Sequence, residues 1–149
     1  MQQIKIYATS KREHGEKILA AVPDGFHCNA RWIYMLGSGQ RPVTHWLQEN
    51  FDDAIASHFV LLYVERDDNL KTSILELGHA IAHNKKIFIA GERDFEEMHG
   101  LPHKDLEPWV GFTSHVKVTG SLAQTFAFIK RLAFPQNIVG NDGSKNYVG

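Results

Sequence analysis

The sequence predicts an α/β fold in which helices cover both faces of a central parallel sheet. Short apolar runs typical of strands alternate with longer segments whose apolar residues recur at helical spacing. One run, Phe59 to Val64, is continuously apolar, as expected for a central strand that is covered on both faces. These observations favour a single-domain, flavodoxin/Rossmann-like three-layer sandwich with a central parallel sheet.

Length and composition agree with one domain. The chain has 149 residues, of which 43% are hydrophobic and 22% charged, and these values are ordinary for a globular protein. We expect the domain to occupy residues 1–140 and residues 141–149 to form a flexible tail.

Charge and targeting signals exclude several functional classes. A net charge of −1 gives no electrostatic footprint for nucleic acid or an anionic membrane. The single cysteine, Cys28, excludes an intrachain disulfide and a CxxC metal site. The N-terminus MQQIKIYATS lacks the pattern of a signal peptide, and the longest apolar run is far shorter than a membrane span. We therefore expect a cytoplasmic protein whose partner is a small molecule.

The first third of the chain predicts a strand, a helix and an ambiguous segment. Residues Ile4 to Ala8 have the composition of a strand. Ser10 and Glu13 form the pattern Ser-x-x-Glu, which indicates a capping box and a helix that continues to about Val22. The segment His27 to Met35 is compatible with either a strand or a short helix.

The remainder of the chain alternates regularly. Predicted helices cover about Thr44 to Ser57, Ile74 to His83 and Ser121 to Phe134, and predicted strands beyond Phe59 to Val64 cover Lys86 to Ala90 and Val116 to Val118. Leu47, Phe51 and Ile55 lie four residues apart and predict the apolar face of the first of these helices.

Ligands of open parallel sheets bind in the crevice outside the carboxyl ends of the strands. That rule selects four segments for this chain: Tyr7 to Arg12, the residues after His27, Glu65 to Glu76, and the residues after Ala90.

Glu76 is the charged residue that most needs an explanation, because it lies among apolar residues in the stretch SILELGHAIAHNKKIFIAGE. Ser73 and Glu76 form a second Ser-x-x-Glu pattern, so Glu76 can be a capping residue whose charge suits the helix N-terminus. The same position lets a carboxylate enter the ligand crevice. Spacing alone favours the cap, since capping boxes are far commoner than active sites.

A metal site is a third interpretation of this stretch, because Glu76, His79 and His83 share one helix face. A carboxylate-bridged di-metal site requires a second Glu-x-x-His, and a zinc protease requires His-Glu-x-x-His. The sequence has neither pattern, and we expect no metal ion.

Several other residues have simple structural interpretations. Gly37-Ser38-Gly39 lacks the remaining residues of a nucleotide-binding fingerprint and is interpreted as a loop. The pairs Asp52-Asp53 and Asp67-Asp68 can be solvated. The tryptophans are more typical of a core, although a base-binding site would use one or two of them; they are Trp32, Trp46 and Trp109.

Three segments, taken in order, resemble the nucleoside 2-deoxyribosyltransferase-like superfamily, including its nucleotide N-glycoside hydrolases. They are IKIYATS, ENFDDAIASHFVLLYVE and TSILELGHAIAHNKKIFIAGE. The resemblance covers most of residues 1–92 and makes residues 1–140 the domain of this type. The chain departs from the family pattern at His58, where an aspartate is usual, and at Thr72-Ser73, where Gly-Thr is usual.

The resemblance implies roles for named residues. The family's catalytic glutamate falls on Glu76, its tyrosine on Tyr7, and its helix aspartate on Asp53, with Asp52 as a close alternative. Its loop aspartate falls nearest to Asp68. Glu76 would stabilise or attack C1′ of the sugar, and a helix N-terminus would lower the pKa of its carboxyl group. Asp53 would protonate or orient the base.

The resemblance also bears on the substrate. It implies cleavage or transfer of the N-glycosidic bond of a (deoxy)nucleoside or nucleoside 5′-monophosphate, without a metal or redox cofactor, in a homo-oligomer. The loop Thr9-Ser10-Lys11-Arg12 suits a 5′-phosphate, or else Ser10 caps a helix while Lys11 and Arg12 are solvated. Ser73 is a further substrate-binding candidate. The alternatives are an NAD-type N-glycosidase and a catalytically silent nucleotide-binding module.

Overall fold

A computed structural model describes residues 3–35, 43–98, 100–111 and 114–134. The predicted loop at Gly37-Ser38-Gly39 and the predicted tail 141–149 lie outside these ranges, as does the expected domain boundary at residue 140.

In the described part of the chain, five parallel strands form one sheet. In chain order they are β1 (Ile4–Thr9), β2 (Phe26–Cys28), β3 (Phe59–Tyr63), β4 (Lys86–Ala90) and β5 (Val116–Gly120), and their spatial order is β2-β1-β3-β4-β5. This is the flavodoxin-like order, in which the chain leaves β1 to one side and returns to its other side. The switch point, where such folds bind ligands, therefore lies between β1 and β3.

Helices cover both faces of the sheet. They are α1 (Gly15–Ala21), α2 (Arg31–Tyr34), α3 (Val43–Ile55), α4 (Lys71–Ala82) and α5 (Leu122–Ala133), and short 3₁₀ segments occupy Arg12–His14, Phe95–Glu97 and Lys104–Gly111. Helix α3 packs against α4, and α1 packs against α5. The predicted three-layer α/β fold is thus confirmed.

The core is centred on β1, β3 and β4. Ile6 to Thr9, Val60 to Val64 and Ile87 to Ala90 are all buried. Because both faces of these strands are buried, their sequences are largely apolar and do not alternate between apolar and polar residues. The ambiguous segment from His27 to Met35 contributes to both kinds of element, because it contains the end of β2 and the whole of α2.

Both predicted capping boxes are wrong, because each serine binds a distant partner instead. The hydroxyl of Ser10 donates to the carbonyl of Tyr63 at 2.6 Å, and the 3₁₀ segment that follows has no side-chain cap. Helix α4 begins at Lys71, so Ser73 is already inside it and shares a hydrogen bond with Thr9. A true capping box occurs at Ser121, whose partner is Gln124.

The buried face of α3 differs from the predicted one. Leu47, Phe51 and Ile55 are half-buried, whereas Asn50, Asp53 and Ala54 are turned inward. Two polar side chains therefore face the sheet at the position where helical periodicity had placed apolar ones.

Within the described ranges, no helix combines the length and the apolar character that a membrane crossing requires.

Candidate active site

Glu76 lies on the inner side of α4 and is only 2% exposed. Its Oε1 accepts a hydrogen bond from the Tyr7 hydroxyl at 2.8 Å, and its Oε2 accepts one from Nδ2 of Asn50 at 3.0 Å. The carboxylate thereby joins β1, α3 and α4. The structure brings together the predicted pair Glu76 and Tyr7 and adds Asn50, which the sequence motifs had not indicated.

A pair of hydroxyl groups lies beside this carboxylate. Oγ1 of Thr9 and Oγ of Ser73 are 2.8 Å apart, and both residues are buried. Thr9 also interacts favourably with the Glu76 carboxylate. Because Thr9 ends β1 at the switch point, these two predicted substrate-binding residues lie at the sheet edge that the fold reserves for ligands.

Burial raises the pKa of the Glu76 carboxyl group, and hydrogen bonds from Thr9, Tyr7 and Asn50 oppose that rise without cancelling it. The expected lowering by a helix N-terminus is wrong, because α4 begins at Lys71 and Glu76 lies beyond its first turn. The site holds a carboxylate that is short of solvation and is stabilised by three nearby donors.

Tyr7 can act only as a neutral donor at ordinary pH. Its side chain is fully buried, and burial followed by the charge of Glu76 raises the pKa of its hydroxyl well above the usual value. The phenol therefore keeps its proton and directs it at Oε1 of Glu76.

Replacing Tyr7 with phenylalanine removes one donor while keeping the ring in the core. We expect base release at neutral pH to fall roughly 10- to 100-fold, as for the loss of a hydrogen bond to a charged group. The acid limb of the pH profile of kcat/KM should move to higher pH, because the carboxylate loses a stabilising partner. An unchanged acid limb in Tyr7→Phe would contradict this role, and Tyr34→Phe, at an exposed tyrosine, is the matched control.

Asp53 is engaged by Arg31. Its Oδ2 accepts from the Arg31 backbone N–H at 2.9 Å, and its Oδ1 accepts from Nε and pairs with Nη2, both at 3.0 Å. This bidentate pair fastens α2 to α3. Both oxygens act as acceptors, which suits a positioning residue better than a proton donor.

The other predicted substrate-binding residues are dispersed. Asp52 is exposed and accepts from Gln48, and Arg12 is also exposed. Asp68 is buried, and its carboxylate accepts from Nε2 of His14 at 2.9 Å and from the backbone N–H of Glu65. Its oxygens therefore hold the loop between β3 and α4 in place.

The predicted phosphate loop, from Thr9 to Arg12, does not precede an α-helix directly. A 3₁₀ segment follows it, and α1 begins at Gly15 and has seven residues. The hydroxyl of Ser10 is already bound to the carbonyl of Tyr63. The loop is therefore followed by a 3₁₀ turn rather than by the α-helix N-terminus that was expected to attract a 5′-phosphate.

The histidines of α4 do not converge on Glu76. His79 stacks on Phe51, with ring centroids 4.3 Å apart, and lies against His83 at 4.4 Å. In the part of the chain that the structure describes, no group of three or more His, Cys, Asp and Glu side chains could hold a metal ion.

A pocket of about 910 Å³ lies on the outer side of α4, between that helix and the 3₁₀ segment Lys104–Gly111. Ile74, Gly78 and Trp109 are among its lining residues, whereas Glu76 is not. The carboxylate site and this pocket therefore use opposite sides of α4.

Asn50 and Arg31 contribute to the site although the sequence motifs indicated no role for them. Trp32, one of the three tryptophans that a base-binding site could use, donates from Nε1 to the carbonyl of Ala8 at 2.9 Å. A signal existed for Asn50, which lies three residues before Asp53 and so shares its helix face. A pair of polar residues at that spacing inside an otherwise apolar face indicates a buried polar contact. Arg31 and Trp32 lie in the segment that could be either a strand or a short helix, so the directions of their side chains could not be predicted.

The fold and the site together define a flavodoxin-like α/β domain with a buried carboxylate beside its switch point. Neither the models of known protein families nor the curated protein sequences match this chain. Among solved structures, the CMP N-glycosidase BcmB of Clostridium botulinum is similar, with a TM-score of 0.49 and 13% identity over 88% of this chain and 98% of that chain. Similarity of this degree identifies neither a substrate nor a reaction, so the function has to follow from the site itself.

Proposed function

We propose that this protein cleaves or transfers the N-glycosidic bond of a (deoxy)nucleoside or nucleoside 5′-monophosphate, with Glu76 as the nucleophile. The observation that carries the proposal is the Glu76 carboxylate, which is buried at the ligand edge of the sheet and held by Tyr7 and Asn50. A buried carboxylate with a raised pKa at such an edge is typical of a functional group rather than of a surface cap.

The reaction follows from the charge of Glu76. The C1′–N bond breaks, its electron pair leaves with the base, and positive charge develops on the sugar. The carboxylate neutralises that charge and forms a C1′–O ester bond. Water then attacks C1′ and breaks the C1′–O bond, which releases the sugar and restores Glu76 (hydrolysis), or a second base attacks instead (transfer). The proton that the water or the second base loses neutralises the base that departed.

Tyr7 and Asn50 act as positioning residues. Each directs one hydrogen at one oxygen of Glu76, so the carboxylate has a fixed orientation before the substrate binds. Their donated hydrogen bonds also offset the cost of keeping the anion buried. We assign sugar binding to the hydroxyls of Thr9 and Ser73, because they contact each other and Thr9 interacts with the Glu76 carboxylate.

The contacts of Asp53 favour its role as an orienting residue. Arg31 occupies both of its oxygens, so Asp53 sets the position of α2 and of the side chains that α2 carries. We assign Ser10, Arg12, Asp52 and Asp68 a weaker part in substrate binding than Thr9 and Ser73, because Ser10, Asp52 and Asp68 are bound to other residues and Arg12 is exposed. The homo-oligomer and the cytoplasmic location stay predictions.

A second candidate substrate is a nicotinamide nucleotide such as NAD. Its pyridinium base leaves as a neutral molecule and needs no proton from the protein. The engagement of Asp53 by Arg31 favours such a substrate, because Asp53 is then not placed to protonate a departing base.

The test is a panel of nucleosides, deoxynucleosides, their 5′-monophosphates and NAD, assayed for free base. We expect release from at least one class, and loss of that release in Glu76→Gln. Glu97→Gln, at an exposed glutamate, is the matched control and should retain full activity. If no compound releases its base while nucleotides still bind, the protein is a binding module and the enzymatic proposal is wrong.

A further inference from the structure

Trp32 lies at the ligand edge, beside the strand that carries Tyr7 and Thr9. Its indole Nε1 donates to the backbone carbonyl of Ala8 at 2.9 Å, and Ala8 is the residue between those two. Trp32 packs against the hydrophobic core and is half-buried, so the residue is not fully enclosed by the protein.

Strand pairing explains why the indole lies there. The register of β1 with β2 ends at Ile6 and Cys28, and the Ile6 carbonyl accepts the backbone N–H of Asn29. The Ala8 carbonyl points to the same side two residues later, where β2 no longer provides a partner. The indole N–H of Trp32 takes that place, which fixes the ring at the end of the strand.

The same N–H places the ring near the reacting group. Its acceptor is the carbonyl of Ala8, the residue that directly follows Tyr7 in β1. Burial has the largest effect on the pKa of the Tyr7 hydroxyl and raises it, and the Trp32 N–H opposes that rise, in agreement with this position. The hydroxyl in turn lies 2.8 Å from Oε1 of Glu76. A sugar whose C1′ approaches Glu76 would therefore present its base close to the indole.

We propose that the Trp32 indole is the stacking surface for the aromatic base of the substrate. This inference rests on the proposed function, since it names the part of that same site which binds the base. Its N–H is already bound to Ala8, so Trp32 contributes the ring face and no hydrogen bond to the base. Stacking of this kind tolerates different bases.

Two substitutions separate stacking from anchoring. Trp32→Phe loses the N–H but keeps an aromatic face, whereas Trp32→Leu loses both. Binding is measured by calorimetry in the Glu76→Gln background, so that no turnover occurs, with adenosine, cytidine and their 5′-monophosphates as probes. Ribose 5-phosphate and 1,4-anhydroribitol, which have no base, are the matched control ligands.

We expect Trp32→Phe to retain nucleoside or nucleotide affinity within about threefold and Trp32→Leu to weaken it roughly 10- to 100-fold. Affinity for the sugars without a base should change in neither variant. Equal weakening in both variants, weakening in neither, an equal loss for the sugars without a base, or no binding of any probe would overturn the proposal.

Tryptophan fluorescence gives a second measurement if Trp32→Leu does not fold. Base stacking should quench emission in the parent protein and in Trp109→Phe, which lies at the pocket on the other side of α4. The quenching should disappear in Trp32→Phe, and its persistence there would overturn the proposal. If bases stack on Trp32 but the wild-type protein releases no base, the proposed function is contradicted and this inference is supported.

Discussion

Glu76→Gln is expected to lose base release by roughly 10³-fold or more in kcat/KM, the largest effect of any single substitution in this chain. Glutamine has nearly the same shape and can keep hydrogen bonds to the side chains around it. It carries no charge to neutralise the sugar cation and no competent nucleophilic oxygen. Base release that survives in both Glu76→Gln and Glu76→Ala would remove this residue from the mechanism.

The same substitution is expected to leave the free energy of unfolding unchanged or to increase it near neutral pH. Because the pKa of Glu76 is raised in the folded state, the folded chain binds this proton more tightly than the unfolded chain. Protonated Glu76 therefore contributes to the free energy of unfolding of the wild type. That contribution is fully present below the ordinary pKa of 4.5 and is lost as pH rises through the pKa of Glu76 in the folded state. Glutamine has no such loss.

Denaturant unfolding of the two proteins across pH checks this sign. The advantage of Glu76→Gln over the wild type should grow as pH rises and shrink toward acid. An advantage that grew toward acid would mean that the folded state favours the charged form of Glu76.

Asn50→Asp is expected to have the second largest effect. Aspartate has the shape of asparagine and would place a second carboxylate about 3.0 Å from Oε2 of Glu76. Two carboxylates at this distance in a buried site cannot both be ionised, so the pair retains a proton and the nucleophile is largely neutralised. We expect kcat/KM at neutral pH to fall roughly 100-fold or more.

Stability should also depend on pH in Asn50→Asp. The unfolded chain ionises both groups above their ordinary pKa values, while the folded pair holds one proton. The free energy of unfolding should therefore decrease as pH rises, by about 3 kcal/mol or more at neutral pH.

Asn50→Ala is the matched control for the added charge, because it removes the donor without a second carboxylate. Asn50→Ala should lower the free energy of unfolding by about 1–3 kcal/mol. A wild-type pH profile and stability in Asn50→Asp would show that residues 50 and 76 do not share one buried site.

The order of the elements followed from the sequence because the strands are short, continuous and apolar. Phe59 to Val64 and Lys86 to Ala90 occupy the centre of the sheet, and their burial on both faces gives a pattern that few other arrangements produce. The ligand edge then followed from topology alone, and it contains Tyr7, Thr9 and Glu76.

The failures have one physical origin, which is competition between local and distant partners. Ser10 and Ser73 carried the spacing of a capping box, yet their hydroxyls bind Tyr63 and Thr9, both more than 50 residues away in the chain. Ser121 uses the corresponding motif locally, since its partner Gln124 lies in the same turn. Sequence spacing does not distinguish these cases.

Asn50 and Asp53 were harder to predict for a related reason. Helical periodicity finds apolar stripes, and it therefore selected Leu47, Phe51 and Ile55 as the inner face of α3. The inner face instead contains polar residues whose partners, Glu76 and Arg31, belong to other elements. A site built from such contacts breaks the local rule at the place where function is expected.

The central claim, that Glu76 is the nucleophile, is tested most directly by trapping its ester with the sugar. A 2′-fluorinated arabinonucleoside of the base that the panel identifies would slow breakdown of the intermediate, because the fluorine disfavours the cation-like transition state. Trypsin releases the peptide 72–85, in which Glu76 is the sole carboxylate side chain. We predict that mass spectrometry finds the sugar on this peptide in the wild-type protein and not in Glu76→Gln. Release of the base from this analogue in amounts matching the enzyme, with the peptide unmodified, would contradict the claim.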